Sequence, residues 1–123
     1  MNIALGASLL ALSFFAFFLS PAYAGASTLI TDTSIISHTV WTKAGSPYIV
    51  DGDLYVVLIS SLTIKPDVVV KFTPGSSIVF GENVVLDVQG TKEEPVYFTS
   101  LKDDSGGDTN GDGLATSPAP GDW

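Results

Sequence analysis

Cysteine and arginine are both absent from these 123 residues. Without cysteine the chain has no disulfide framework, no thiolate metal site and no lipid-anchored amino-terminal cysteine, so its stability rests on packing or on bound ions. Without arginine its cationic side chains are Lys43, Lys65, Lys71, Lys92 and Lys102, spread singly along the sequence. They form no basic patch for a phosphate backbone, which excludes a nucleic-acid partner. Histidine occurs once. His38 has neither a second histidine nor a Ser/Asp constellation near it, and reads as an exposed or partly packed side chain rather than a catalytic base.

Negative charge, by contrast, is plentiful, and the formal net charge is −8. Residues 1–20 carry none of it, and residues 4–19 are almost continuously apolar. Pro21 breaks that run, and Ala22-Tyr23-Ala24 then places small residues at the two positions a signal peptidase reads. Residues 1–24 are therefore expected to be a signal peptide cleaved before Gly25, although its amino-terminal part holds no Lys or Arg. The apolar run is shorter than the roughly 20 residues of a membrane span, so no span is expected after cleavage. The product is assigned to the extracellular space or the cell surface, where an acidic exterior favours solubility and attracts divalent cations.

The most informative pattern lies between Leu54 and Phe98. Two apolar residues flank a variable one in Leu54/Val56, Leu62/Ile64 and Val70/Phe72, and again in Ile78/Phe80, Leu86/Val88 and Val96/Phe98. Corresponding pairs stand 24, 24 and 26 residues apart. A period in the twenties marks a unit that cannot bury its own apolar face and must stack on its neighbour. Corner residues fall between the pairs at Asp51-Gly52-Asp53, Lys65-Pro66-Asp67, Thr73-Pro74-Gly75, Gly81-Glu82-Asn83 and Gln89-Gly90-Thr91. In an antiparallel sandwich nothing requires position n to resemble position n + 24. In a parallel coil those positions stack about 4.8 Å apart, so like falls on like.

The expected fold is all-β: a parallel β-helix of about two three-strand coils over residues 48–100. An extended Ser/Thr-rich cap segment, 25–47, precedes it, and an acidic Gly/Asp/Pro-rich loop, 101–123, follows and returns to the coil at Trp123. Expected ladders pair 54–56 with 78–80, 62–64 with 86–88 and 70–72 with 96–98. Tyr55, Thr63, Lys71, Asp87 and Tyr97 then point away from the core.

The run Leu62-Thr63-Ile64-Lys65-Pro66-Asp67-Val68-Val69-Val70-Lys71-Phe72, with Leu86-Asp87-Val88-Gln89-Gly90-Thr91 and Pro95-Val96-Tyr97-Phe98-Thr99-Ser100, resembles the right-handed parallel β-helix repeats of secreted proteins of the pectin-lyase-like superfamily. In that family an acidic glycine-rich loop similar to residues 106–113 often follows the Phe-Thr-Ser strand, and the chain re-enters the coil at a Gly-Asp-Trp like Gly121-Asp122-Trp123. The resemblance covers residues 48–123. It implies the fold more than a function, because the architecture hosts lyases, hydrolases, adhesins and passive surface proteins.

Asp108-Thr109-Asn110-Gly111-Asp112-Gly113 fits D-x-N-x-D-G, the opening half of a calcium loop, with oxygen ligands at alternate positions and a glycine at the sixth. The second half is missing. Ala119 stands where an EF-hand needs a bidentate glutamate, and Pro118 and Pro120 exclude the exiting helix. Asp108, Asn110 and Asp112 are thus expected to bind calcium, the further ligands coming from the Leu114 carbonyl, from Asp103 or Asp104, or from water.

Asp51 with Asp53, Glu93 with Glu94 and Asp103 with Asp104 are adjacent carboxylates, but all lie in turn-like sequence without the burial that raises an acid's pKa. The lyases of the resembled family rely on an arginine or lysine base and the polygalacturonase-like enzymes on a histidine with an Arg/Lys pair. No residue here matches either set, and no catalytic residue is assigned. Trp41, Tyr55 and Tyr97 are candidates for an exposed sugar-stacking strip, though isolated surface aromatics are the simpler reading.

Three functions stay open on these grounds. The first is a secreted or cell-surface scaffold or adhesin-like protein, non-catalytic within this chain, calcium-stabilised and binding carbohydrate or protein. The second is the amino-terminal part of a polysaccharide lyase or glycoside hydrolase with its catalytic residues beyond residue 123. The third is a small autonomous module. Because two coils leave an apolar end uncovered, the chain is expected to open a longer protein and to self-associate through that end.

Overall fold

The computed structural model describes residues 26–31 and 33–123; the expected signal peptide lies outside the described residues. Ten short strands follow in order: β1 Thr28–Ile30, β2 Ser34–Ile35, β3 His38–Trp41, β4 Tyr48–Val50, β5 Asp53–Val56, β6 Ser61–Ile64, β7 Val69–Phe72, β8 Ser77–Phe80, β9 Val85–Val88 and β10 Tyr97–Ser100. They form three sheets in the orders β1-β4-β7-β10, β2-β5-β8 and β3-β6-β9, with every pairing parallel. The chain therefore visits the three sheets in turn and returns to each one level higher, as a parallel β-helix does. Strands β1 to β9 make three coils, and β10 begins a fourth.

The 24-residue repeat is reproduced in two of the ladders. Leu54 pairs with Ile78 and Val56 with Phe80, while Leu62 pairs with Leu86 and Ile64 with Val88. Between the sheets Val50, Leu54, Val56, Leu62, Ile64, Val68, Val70 and Phe72 are all buried. Each such apolar side chain contributes about 1.5–3 kcal/mol when fully removed from water. At the lower level Trp41 stacks on Tyr48 with ring centroids 4.7 Å apart. The Tyr48 hydroxyl accepts from the Thr42 N–H at 2.9 Å and donates to the Thr42 carbonyl at 3.2 Å. Gly45 makes room for it, since a Cβ there would lie 2.4 Å from that hydroxyl oxygen.

Polar side chains tie the corners of successive coils together, three of these bonds spanning 24 residues and one 22. The Gly52 N–H donates to Ser76 Oγ at 2.8 Å, Ser77 Oγ donates to Asp53 at 2.6 Å, Thr73 Oγ1 donates to Asp51 at 2.8 Å, and Lys65 Nζ donates to Gln89 at 2.9 Å. These bonds keep turn backbone from drifting while the ladders fix the strands. One corner is strained. Leu58 and Ile59, between β5 and β6, have φ of 62° and 55°, a region that costs a non-glycine residue about 1–2 kcal/mol, and both side chains stand in solvent.

Four expectations change. The Ser/Thr-rich segment, read as a cap, contains a complete coil, and its apolar points Leu29/Ile30, Ile35/Ile36 and Val40/Trp41 lie at or beside its three strands. Strands of two to four residues are too short to announce themselves by alternation, and here they are templated by the ladders to β4, β5 and β6. In the first sheet Val70 pairs with Phe98 and Phe72 with Ser100, so the partner of 70–72 is 98–100 rather than 96–98. Val96 misled because it also packs on the core, just ahead of its strand. Trp41 is buried and belongs to no exposed aromatic strip; Tyr55 and Tyr97 are exposed but lie in different sheets. Lys71, expected on the surface, is completely buried.

Candidate metal centre

Lys71 is buried because the acidic loop folds over the outer face of the first sheet. Its ammonium donates to the carbonyl oxygens of Asp103 and Gly107, the latter at 2.7 Å, and to Thr109 Oγ1 at 3.0 Å. Three donors meet three oxygens, as a buried charge requires. Burial nevertheless holds the Lys71 pKa below the ordinary lysine value, against the opposing pull of Asp103, Asp104 and Asp108. Gly106 settles against the same face with φ of +76°, and a Cβ there would meet Val69 at 3.3 Å.

Beyond this anchor the loop gathers three carboxylates. One oxygen each of Asp104, Asp108 and Asp112 lies within 4.8 Å of the other two. The two oxygens of Asp108 accept backbone N–H groups, Gly111 at 2.7 Å and Gly113 at 2.8 Å. These bonds, that from Gly113 foremost, hold its pKa below the usual carboxylate range, so it is ionised at neutral pH. Asp112 Oδ2 accepts from Asn110 Nδ2 at 2.9 Å and from the Thr116 hydroxyl. The remaining oxygens are the informative ones. Asp104 Oδ1 and Asp112 Oδ1 are buried and accept no hydrogen bond, an arrangement that costs free energy unless a cationic partner joins them.

The sequence-level ligand set is thus partly brought together and partly dispersed. Asp108 and Asp112 converge, and Asp104 joins them. Asp103 turns away: one of its oxygens accepts the Thr99 hydroxyl at 2.7 Å and the other the Ser105 N–H at 2.8 Å. The Thr99 bond is the main reason that its pKa is also held low. Asn110 braces Asp112 and Thr116 with its amide group, at 2.9 and 3.1 Å, and accepts the Asp112 N–H at 3.3 Å. The Leu114 side chain stands in solvent. The residue missed at the sequence level is Lys71 as the loop's anchor. Its signal was a single charge inside Val68-Val69-Val70-Lys71-Phe72, an otherwise apolar strand.

A second feature closes the loop. Lys102 and Asp122 form an ion pair at 2.8 Å, Asp122 accepts the Ala119 N–H at 2.7 Å, and Trp123 stacks on Phe72 with centroids 4.6 Å apart and planes 10° from parallel. Trp123 forms one wall of a cavity of about 320 Å³ at the coil end, with Phe72, Ile78, Phe80, Leu86 and Phe98.

Other titratable groups fall into the lattice of corners. Asp51 and Asp53 accept from Thr73 and Ser77, and Glu93 and Glu94 are exposed. His38 Nδ1 meets Ser61 Oγ at 2.8 Å, its in-register neighbour, and no carboxylate is hydrogen-bonded to the ring among the described residues. Chemically, the loop offers three hard carboxylate oxygens, a donor set suited to calcium rather than to a soft metal. The chain matches no known protein family, no characterised protein and no solved structure.

Proposed function

We propose that this chain is part of a secreted or cell-surface β-helix scaffold of the pectin-lyase-like type, non-catalytic within these residues. Its acidic loop is stiffened by calcium on Asp104, Asp108 and Asp112, and its outer faces and loops are presented to a polysaccharide or a cell-surface protein. The observation that carries this reading is the pair of buried, unpartnered carboxylate oxygens on Asp104 and Asp112, two residues that cluster with a third carboxylate, Asp108. The apolar coil end is the surface for self-association in the same reading, read out as concentration-dependent mass in sedimentation.

Affinity is expected in the weak range of extracellular calcium modules, about 10⁻⁴ to 10⁻³ M. Calorimetry against millimolar calcium tests it. Heat should appear with the intact chain and vanish in an Asp108→Ala/Asp112→Ala double variant. No heat, or the same heat from the double variant, rejects the calcium loop.

A further inference from the structure

Asn110 is the one asparagine of this sequence that precedes a glycine. Such a pair is open to an internal reaction, because the backbone nitrogen of the second residue can reach the side-chain carbonyl of the first when no Cβ stands in the way. Gly111 lies in the left-handed region at φ +74°, and nothing sits within 4 Å of where its Cβ would be. Asn83 is exposed but is followed by Val84, whose branched side chain crowds the attacking nitrogen.

The loop places a group beside each atom that this reaction changes. The nucleophile is the Gly111 nitrogen, and its N–H donates to Asp108 Oδ1 at 2.7 Å, within the reach that a general base needs. The electrophile is Asn110 Cγ. Its oxygen accepts the Asp112 N–H at 3.3 Å, a donor aimed where negative charge develops as the nitrogen adds. The leaving atom is Asn110 Nδ2, which lies 3.1 Å from the Thr116 hydroxyl oxygen.

We propose that Asn110 is a self-modification site, at which the Gly111 nitrogen bonds to Asn110 Cγ, the Cγ–Nδ2 bond breaks and ammonia departs from a cyclic succinimide. Asp108 takes the Gly111 proton, Thr116 gives one to the departing nitrogen, and both are reset through water. Water then opens the ring at either carbonyl carbon, leaving aspartate or isoaspartate. One ammonia goes out, one water comes in, and nothing is oxidised or reduced. The amide that braces Asp112 and Thr116 is thereby replaced by a carboxylate, and the isoaspartate form also adds a methylene to the backbone. The reaction runs one way, so the converted fraction records the age of the molecule.

Incubating the intact chain in warm neutral buffer with chelator tests this separately from the calcium reading. Peptide mapping by mass spectrometry reads the amide-to-acid change, and isoaspartyl methyltransferase labels the rearranged product. Conversion is expected at Asn110 and not at Asn83, and faster in the folded chain than in the same chain unfolded in urea. Asp108→Ala should slow the folded-state rate about tenfold, less than the usual worth of a positioned base because the Asp108 pKa is held low. Folded-state conversion that is absent, or no faster than in urea, overturns the proposal, as does an unchanged rate in Asp108→Ala. Should that variant disturb the loop, Thr116→Val is read in its place, with the same slowing expected and an unchanged rate again overturning the assignment.

Discussion

The ammonium of Lys71 donates to the carbonyl oxygen of Gly107, 36 residues further along the chain, at 2.7 Å. This contact joins the middle of a strand to the middle of a loop. Lys71→Met keeps most of the buried stem and removes the charge. It should cost about 1.5–3 kcal/mol, the worth of hydrogen bonds to a charged group, and should loosen the loop first. Urea unfolding with hydrogen exchange at residues 103–109 checks this. Unchanged stability and exchange would show that the ammonium is a passenger.

Phe72 is buried beneath Trp123 and above the lower coils. Phe72→Ala is expected to cost about 3–5 kcal/mol, whereas Tyr55→Ala, on an exposed outward position, should stay within about 0.5. Equal losses in denaturant titrations would contradict the inward and outward assignment of the strands.

Asp103 and Asp104 are neighbours with different work. Asp104→Asn should abolish the calcium heat. Asp103→Asn should preserve it while releasing the Thr99 and Ser105 contacts at the exit of β10. If calorimetry shows the reverse, the ligand set is wrong.

Asp103, Asp108 and Asp122 all have pKa values held below the usual carboxylate range, through Thr99, Gly113 and Lys102 respectively. Unfolded, they titrate near the ordinary value of about 3.9, so the folded chain binds fewer protons than the unfolded one as pH falls below it. The stability they supply is complete above that value and is lost as the pH drops through their lower, folded values. Loop opening without loss of the sheets is expected as the pH falls below the ordinary carboxylate range, visible as red-shifted Trp123 emission with an unchanged far-ultraviolet spectrum. Simultaneous loss of both signals would argue against a separately titrating loop.

Ile59 sits at φ 55° with its side chain 78% exposed. The matching corner one coil later carries Asn83 at φ 57°, a residue that tolerates this region. Ile59→Asn should therefore raise stability by about 1 kcal/mol. A lower denaturation midpoint would mean that the isoleucine side chain makes a contact worth more than the strain.

The coil was legible where side chains repeat. Leu54 with Ile78 and Leu62 with Leu86 align in the sequence alone, because a stacked position repeats the chemistry of the one below it. Lys71 was not, because alternation places it outward and its burial comes from a loop that meets it only in three dimensions. The same holds for the carboxylate cluster: D-x-N-x-D-G marks Asp108 and Asp112, but the presence of Asp104 rather than Asp103 beside them depends on which carboxylate the Thr99 hydroxyl captures. The first coil was hidden by its short strands, and Trp123 was legible as a return point but not as the ring that replaces a side chain missing at Ser100.

The ladders differ in how many residues separate their rungs. In the first sheet Thr28 faces Tyr48, Tyr48 faces Val70 and Val70 faces Phe98, while the third coil's partners in the other sheets keep a constant spacing of 24. Surplus residues are thrown out at the corner between β9 and β10, where Thr91 and Glu94 close a small turn of their own, with N–H to carbonyl at 3.0 Å and N–H to hydroxyl at 2.9 Å. Chain length and strand register are thereby uncoupled at that corner. A foreign peptide grafted between Lys92 and Glu93 would ride outside the barrel wall, and natural descendants of this molecule can acquire new surface sequence at the same point without re-threading a single ladder.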